Sequence, residues 1–276
     1  MTKYIYAFEE GNAGMRDLLG GKGANLCEMT GLGFSVPPGF VISTEACNQY
    51  VKEGAMPEGL MEQVMEAMNK LEEKAGKKFG DINNPLLVSV RSGAKFSMPG
   101  MMDTILNLGL NEVTLSGMIR QSSNERFGYD SFRRFIQMFS DIVLRIGKDK
   151  FEERIQRKKE EKSVNLDTEL TVDDLKDLVE EFKNIVRENT GELFPEAPKE
   201  QLERAIRAVF ESWNNPRAIV YRRASNISDD LGTGVSIQMM VYGNMGDDSA
   251  TGVAFTRNPS NGDNNIFGEY LINAQG

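Results

Sequence analysis

Two stretches of this 276-residue chain place a cationic side chain within glycine-rich backbone. The first is Gly20-Gly21-Lys22-Gly23, and the second runs from Arg91 to Thr104 and includes Ser92-Gly93 and Pro99-Gly100. Glycine lets backbone N–H groups approach an anion closely, while lysine and arginine supply the positive charge that phosphate oxygens attract. The combination predicts a site for a nucleoside triphosphate.

The chain contains no histidine. A mechanism that needs an imidazole as a base, a phosphate carrier or a metal ligand must therefore take that group from elsewhere. We expect this chain to hold phosphate without completing a phosphate transfer by itself.

The stretch around Lys22 is not a P-loop. That motif needs glycine where Arg16 stands and serine or threonine where Gly23 stands. Two interpretations stay open. Lys22 is either a point charge at a phosphate-binding helix start, or an exposed lysine in a flexible loop.

Arg91 follows the apolar run Leu86–Val90, which predicts a strand that delivers the arginine at its carboxyl end. There the guanidinium can hold phosphate oxygens through two parallel N–H bonds. Residues 97–104, named the lid segment here, combine mobile backbone with hydroxyl groups and can close over a triphosphate. The alternatives are an arginine paired with a surface carboxylate and methionines that belong to the core.

Three further candidates carry weaker signals. Arg134 lies beside Arg133 in a predicted helix and can point toward the cleft, and surface ion pairing is its alternative. The run from Gln238 to Val241 can offer backbone N–H and C=O groups to an adenine edge, and a buried strand without a ligand is its alternative. Trp213, the only tryptophan, is expected to be a packing anchor.

The elements that position these residues change character along the chain. Up to about residue 110, short apolar runs alternate with amphipathic stretches, as in an α/β unit, with a helix from near Lys22 and a strand at Gly39–Ile42. From about 111 to 197 the pattern predicts long charged helices, one of them opened by Thr171 and Asp174 at capping-box spacing.

The strands predicted in the last part of the chain are expected to form one antiparallel sheet. They cover residues 235–241, 251–256 and 266–272, each bounded by Gly, Asn or Asp turns. The chain stops at Gly276, directly after the last of them. We therefore expect a piece of a longer protein whose final sheet is incomplete.

The composition is that of a globular protein, with 40% hydrophobic and 26% charged residues. Lys plus Arg number 32 against 41 Asp plus Glu, and the net charge of -9 argues against nonspecific binding to nucleic acid. No apolar run is long enough to span a membrane, so no membrane partner is expected. Cys27 and Cys47 fit no metal or redox spacing and are expected to be buried thiols in a cytoplasmic protein.

In their order along the chain, these motifs resemble the amino-terminal ATP-grasp nucleotide-binding domain of the pyruvate phosphate dikinase family. The segments that carry the resemblance are 18–23, 88–93, 97–109, 132–138, 215–223, 251–259 and 268–276. The resemblance implies an α/β (α+β) fold with a helical insert, truncated in its last subdomain. It divides the chain into a first subdomain (1–110), the helical insert (111–197), a return to the first subdomain (198–242) and the start of an incomplete second lobe (243–276).

The resemblance implies that the full-length enzyme converts ATP, inorganic phosphate and pyruvate to AMP, pyrophosphate and phosphoenolpyruvate. The phosphate would be carried on a histidine of a swivelling domain, and pyruvate would bind in a barrel, both outside this chain. Mg²⁺ would accompany ATP, with its ligands mostly outside this chain as well. The full-length enzyme would be a homodimer, and the fragment alone would be inactive.

The resemblance also implies roles for individual residues. Lys22 and Arg91 would be the catalytic cations that neutralise the ATP phosphates. Arg134 would hold inorganic phosphate, and Arg217 and Glu269 would dock other domains. The further ATP-binding residues implied are Ser97, Met98, Gly100, Met101, Met102, Asp103, Thr104, Gln238, Met239, Met240 and Val241, and no metal ligand is assigned.

Two other functions stay open. The related water-using enzyme, phosphoenolpyruvate synthase, shares the Gly-Gly-Lys and Val-Arg-Ser themes, although Ser97–Thr104 and the helical insert look like the phosphate-using family. A noncatalytic ATP-grasp-like module that recognises a partner would use Lys22 and Arg91 only as surface cations.

Overall fold

A computed structural model describes residues 2–275 of the chain. Its strands are β1 Ile5–Ala7, β2 Gly39–Ile42, β3 Lys78–Phe79, β4 Pro85–Leu86, β5 Val88–Ala94, β6 Thr104–Leu108, β7 Thr233–Met239, β8 Ala250–Phe255 and β9 Phe267–Ile272. Its helices are α1 Arg16–Gly31, α2 Thr44–Glu53, α3 Leu60–Ala75, α4 Glu112–Ser122, α5 Glu125–Ile142, α6 Asp149–Lys162, α7 Val172–Thr190, α8 Pro198–Ser212 and α9 Pro216–Ala224. The chain therefore combines helices and sheet, as predicted.

Apolar spacing and capping residues explain where the helices form. The buried positions of α3 recur at helical spacing, at Leu60, Val64, Met68 and Leu71. Gly76 follows this helix in the left-handed conformation that ends it. At the start of α7, Thr171 and Asp174 form the predicted capping box. None of the helices within residues 2–275 has a stretch long and apolar enough to cross a membrane.

The central sheet has five strands in the order β1-β2-β7-β5-β6, and neighbouring strands run antiparallel. β7 lies between β2 and β5, whereas β8 pairs with β9 in a separate hairpin. The prediction that the last three strands share one sheet is therefore wrong. The apolar runs predict each of these strands. They do not predict the pairing, because consecutive strands are neighbours in only roughly two-thirds of cases and the spacing of apolar residues does not reveal the exceptions.

The two faces of the central sheet differ in chemistry. Side chains alternate along a strand and cross-strand partners share a face, so the register assigns each row of residues to one side. One row is entirely apolar and consists of Ala7, Phe40, Ile237, Val90 and Ile105. The adjacent row, on the opposite face, consists of Tyr6, Val41, Ser236, Arg91 and Thr104. We name this second side the polar face.

Helix α1 crosses the polar face at close range because glycines stand at the crossing. Gly20 has a φ of +69°, and a Cβ there would lie 1.5 Å from the Gly93 carbonyl oxygen on β5. A Cβ on Gly234 of β7 would lie 2.7 Å from the Leu19 carbonyl oxygen. At Gly20 only glycine tolerates both the positive φ and the close contact. The α1 range is interrupted at Gly20, whose ψ of 168° is not helical, so a short first segment from Arg16 is followed by the helix that was predicted to begin near Lys22.

A continuous apolar core joins the other face of the sheet to the helices between residues 112 and 212. Aromatic rings pack edge to face within it, where Phe135 and Phe139 meet Phe194, and Phe151 meets Phe182. The predicted helical segment is therefore packed directly against the sheet that carries Arg91.

Both cysteines are buried free thiols, as predicted. Burial raises the pKa of Cys27 and of Cys47 to about 11. Because the thiolate is the reactive form, neither is a ready nucleophile near neutral pH.

Replacing Gly20 by alanine should destabilise the chain strongly, because the new methyl group meets the Gly93 carbonyl group and the positive φ is unfavourable for alanine. We expect the free energy of unfolding, measured by urea titration, to fall by about 3 kcal/mol or more. Gly33→Ala is the matched control. Gly33 has a φ of +84°, but no described atom lies within 4 Å of the position its Cβ would take.

The control variant should therefore lose only about 1 kcal/mol, from the backbone conformation alone. Equal losses in the two variants would contradict a close contact between α1 and β5.

Candidate functional site

The glycine contact places Lys22 over strand β5. Lys22 lies two residues beyond the kink in α1, and its Nζ donates a hydrogen bond to the Ser92 carbonyl oxygen at 2.9 Å. Although part of the side chain is open to solvent, the ammonium group lies against the strand. This burial lowers the pKa of Lys22, and the neighbouring Arg91 charge lowers it further.

Arg91 lies in the middle of β5, paired with Ser236 of β7 and Thr104 of β6. The predicted position at the end of a strand is wrong, because β5 continues to Ala94 as a strand with a neighbour on each side. The register places Arg91 on the polar face, the same face that Lys22 covers. Burial lowers the pKa of the Arg91 guanidinium.

Lys22 and Arg91 lie next to each other, and neither is neutralised by a described carboxylate. Among the described residues, no carboxylate forms an ion pair with Lys22 or Arg91. The buried hydroxyl of Ser236, the cross-strand neighbour of Arg91, has no hydrogen-bond partner within residues 2–275. Adjacent, partly buried cations repel each other, and a bound anion relieves this repulsion. The arrangement is therefore suited to an anionic ligand.

A cleft of about 500 Å³ lies between α1 and the lid segment, and we name it the lid cleft. Its wall contains Lys22 and, from the predicted lid residues, Ser97, Met98, Gly100, Met102 and Thr104. The sequence prediction had missed Arg16, Asn25 and Lys95, which also line it. Asn25 follows Lys22 at the i+3 helical spacing, a signal that was available in the sequence.

Met101 and Asp103 belong to the lid segment but face α9 instead of the lid cleft. Arg217 donates hydrogen bonds from Nε to the Met101 carbonyl oxygen, at 3.1 Å, and from Nη2 to one oxygen of the buried Asp103 carboxylate. Asn215 donates to the other carboxylate oxygen at 3.1 Å. Asp103 is therefore engaged within the protein, and its contact with ATP stays a prediction.

A second cleft, of about 450 Å³, adjoins the lid cleft, and we name it the hinge cleft. Arg91 lines it, and Thr104, its partner on β6, lines the lid cleft. The predicted residues Met240 and Val241 lie in its wall. The two clefts therefore meet at the strand pair that carries Arg91.

The polar lining of the hinge cleft was mostly missed in the sequence. The missed polar residues are Asn107, Ser131, Tyr242, Asn244, Thr251 and Gln275. Asn107 adopts a φ of +58° where the β5–β6 register shifts, and it accepts a hydrogen bond from the Tyr242 hydroxyl at 3.1 Å. A bulge of this kind brings distant residues together and leaves no spacing pattern in the sequence.

Gln238 and Met239 are absent from the walls of both clefts. Gln238 donates from Nε2 to the Pro37 carbonyl oxygen at 3.0 Å, and the Met239 N–H donates to the Pro38 carbonyl oxygen at 3.0 Å. The Met240 N–H is also used, since it donates to the Leu87 carbonyl oxygen at 2.9 Å. These N–H groups hold the sheet together and are not free for a base edge.

Arg134 lies on α5 and lines neither cleft. Its Nε donates to Asp130 at 2.9 Å, while the fully buried Arg133 contacts the other Asp130 oxygen at 2.7 Å and Asp167 at 3.3 Å. The two arginines lower the pKa of Asp130 against the opposing effect of burial. Phosphate binding by Arg134 stays a prediction.

The two predicted docking residues lie on different elements. Arg217, with half of its side chain exposed, is at the start of α9, where it contacts the lid segment. Glu269 lies exposed on β9, opposite Val253 of β8. Docking through these residues stays a prediction.

The described part of the chain, residues 2–275, offers no group of three or more His, Cys, Asp or Glu side chains arranged to hold a metal ion.

The family model described as "Pyruvate phosphate dikinase, AMP/ATP-binding domain" matches residues 16–56 and 51–275. The chain is 59% identical over 278 residues to pyruvate, phosphate dikinase of Clostridium symbiosum, covering 100% of this chain and 32% of the relative. It is 56% identical to pyruvate, phosphate dikinase 1, chloroplastic, of Arabidopsis thaliana, covering 99% of this chain and 29% of the relative. It is 54% identical to pyruvate, phosphate dikinase of Entamoeba histolytica, covering 99% of this chain and 31% of the relative.

The chain thus spans less than a third of the length of these relatives.

Replacing Arg91 by methionine should raise the pKa of Lys22 toward 10.5, because the variant removes the neighbouring positive charge and leaves only burial to lower the pKa. The measurement is an NMR pH titration of ¹³C-methylated lysines, with the Lys22 signal assigned from a Lys22→Arg variant. Arg223→Met, at an exposed arginine of α9, is the control and should leave the Lys22 titration in place. A Lys22 pKa that does not change in Arg91→Met would show that the two cations do not share a site.

Proposed function

The chain belongs to the family of pyruvate phosphate dikinase AMP/ATP-binding domains, and we propose that it binds ATP across the lid cleft and the hinge cleft. The observation that carries the proposal is the pair of adjoining cations, Lys22 and Arg91, which have no carboxylate partner among the described residues. Together the two clefts offer room for a nucleotide, with the cations near their junction.

We place the ATP phosphates beside Lys22 and Arg91. In phosphoryl transfer, positioning and neutralisation of charge provide most of the acceleration, so partly buried cations held on rigid elements are the groups required. Ser97, Gly100 and Thr104 of the lid segment supply hydroxyl and backbone groups across the lid cleft and exclude water when the segment closes.

We place adenine in the hinge cleft, beside Met240 and Val241. Because the Met239 and Met240 N–H groups are engaged in the sheet, the base edge would use the Met240 carbonyl group or the Val241 backbone. Gln238 and Met239 would act indirectly, by fixing the end of β7 that leads to Met240. Tyr242 packs edge to face on Phe127 and closes the cleft from the side of the helices.

The architecture supports an ATP-grasp fold. An antiparallel sheet with helices on both faces is followed by residues 240–244, which line the hinge cleft, and then by the β8–β9 hairpin, which contributes Ala250 and Thr251 to that cleft. We retain the division into a first subdomain (1–110), a helical insert (111–197), a return (198–242) and the start of a second lobe (243–276). The hairpin exposes apolar side chains, as expected for an incomplete lobe, and Phe255 and Phe267 are each 47% exposed.

For the full-length protein we propose the conversion of ATP, inorganic phosphate and pyruvate to AMP, pyrophosphate and phosphoenolpyruvate. The support is that the relatives are named pyruvate, phosphate dikinase. Because this chain has no histidine, the phosphate acceptor would lie in another part of the protein. Arg134 would bind inorganic phosphate, and Arg217 and Glu269 would meet the domain that carries the acceptor. We also propose that the full-length protein is a homodimer. Mg²⁺ would accompany ATP and would be bound mostly by residues outside this chain.

Replacing either Lys22 or Arg91 by methionine in the full-length protein should reduce phosphate transfer from ATP to the acceptor histidine by about 100-fold or more, because each variant removes a charge directed at phosphate. The measurement is the rate of acid-labile phosphoprotein formation from radiolabelled ATP. Lys52→Met, at an exposed lysine of α2, is the control and should behave as the parent. Unimpaired phosphohistidine formation in Lys22→Met or Arg91→Met would contradict the assignment.

Phosphoenolpyruvate formation by the full-length protein should require inorganic phosphate. The steady-state rate is measured in phosphate-depleted buffer and again after phosphate is restored. Full activity without phosphate would favour the water-using synthase. Absence of both ATP binding and turnover would favour a noncatalytic module.

A further inference from the structure

We infer that the N-terminal part of α9 is a clamp that fixes the lid segment, with Arg217 as its main positioning residue. The inference deepens the proposed function, since the lid segment matters only if a ligand occupies the lid cleft. It rests on contacts that tie both ends of the lid segment to one helix.

The end of the lid segment is held by three hydrogen bonds from two side chains. Arg217 bonds the Met101 carbonyl oxygen and the Asp103 carboxylate, and Asn215 bonds the second carboxylate oxygen. Asp103 is 7% exposed, so its charge is compensated by these donors rather than by water. A guanidinium that bonds a main-chain carbonyl group and a carboxylate together fixes both the position and the orientation of the segment.

The start of the lid segment meets the same helix. Tyr221 lies four residues after Arg217, on the same side of α9, and its hydroxyl donates to the Ser97 carbonyl oxygen at 3.4 Å. Between the two attachments lies Gly100, which has a φ of +72° and no described atom within 4 Å of the position its Cβ would take. Gly100 thus stands in open space between the two attachments, while Met98 and Met101 on either side of it pack against the core.

The helix is a firm base for such a clamp. Arg222 is buried, stacks on Trp213 with its guanidinium carbon 4.1 Å from the ring centroid, and donates from Nε to Asp229 at 2.7 Å. Trp213 is buried as well and donates from Nε1 to the Asp229 carbonyl oxygen at 2.9 Å. The residues that pack α9 against the core thus lie on one side, and Arg217 and Tyr221 project from another. Trp213 is the packing anchor predicted from the sequence.

The lid segment also connects the clamp to the nucleotide cations. Asp103 immediately precedes Thr104, which begins β6 and pairs with Arg91. Ser92 N–H donates to the Asp103 carbonyl oxygen at 3.4 Å, and Lys22 bonds the Ser92 carbonyl group. Loss of the clamp is therefore expected to loosen the lid segment first and to leave the sheet intact.

The test is amide hydrogen exchange of the full-length protein without nucleotide. In Arg217→Ala, the lid-segment amides are expected to exchange at least tenfold faster, while α3 and β7 exchange as in the parent. Asp103→Asn should give the same change in direction, because it removes the charge that holds Arg217. Tyr221→Phe should accelerate exchange only near Ser97. Arg223→Ala, at an exposed arginine of the same helix, is the matched control.

Arg217→Lys separates a positioning role from simple loss of charge. A lysine keeps the positive charge for Asp103, but its single nitrogen cannot reproduce the two separate nitrogens with which Arg217 bonds Met101 and Asp103, so the exchange rate should fall between those of the parent and Arg217→Ala. The Arg217→Ala variant is ambiguous if the amides of α9 also exchange faster in it. In that case the Asp103→Asn variant, which leaves the sequence of α9 unchanged, decides whether the clamp holds the lid segment.

Unchanged lid-segment exchange in both Arg217→Ala and Asp103→Asn would overturn the clamp. That result together with lost activity of Arg217→Ala would leave docking as the role of Arg217. If the variants show faster lid-segment exchange but the parent protein does not bind ATP, the clamp is supported and the proposed function is rejected. Failure of the clamp can therefore be distinguished from failure of the proposed function.

Discussion

The close crossing of α1 over the sheet is the constraint on which the candidate site depends. Gly20 and Gly93 bring helix and strand backbones together, so the lysine two residues later lies over β5, on the face that carries Arg91. Two cations are thus partly buried side by side, and the pKa of each falls below its ordinary value. This arrangement opposes folding and favours an anionic ligand, as expected where function and stability are in conflict.

The remaining elements leave one face of the sheet open for the crossing of α1 and hold the strand that α1 crosses. The apolar face of the sheet packs on the helices between residues 112 and 212, which leaves the polar face for α1, the lid segment and the hinge cleft. β5 lies between β7 and β6, so Arg91 is fixed by a ladder on both sides. The lid segment is tied to α9 at its ends and is open at Gly100. Cations positioned by a helix and a strand beside a covering segment suit binding of phosphate with exclusion of water.

Local features of the sequence predicted the elements well and their assembly poorly. Apolar spacing and caps identified α3 and α7, and apolar runs with turn residues identified the strands. The insertion of β7 between β2 and β5 was missed, because strand pairing depends on packing far along the chain. For the same reason Arg91 was expected at a strand end, and Asp103 was expected to face the ligand although Arg217, more than 100 residues later, engages it.

The central claim, that Lys22 and Arg91 act together on the phosphates of ATP, is tested most directly by a double-mutant cycle on ATP affinity. Calorimetric titration of the full-length protein and its Lys22→Met, Arg91→Met and doubly substituted forms gives the coupling energy between the two positions. We expect both single variants to bind ATP more weakly and a coupling of about 1 kcal/mol or more. Fully additive losses, or unchanged affinity in either single variant, would contradict the account.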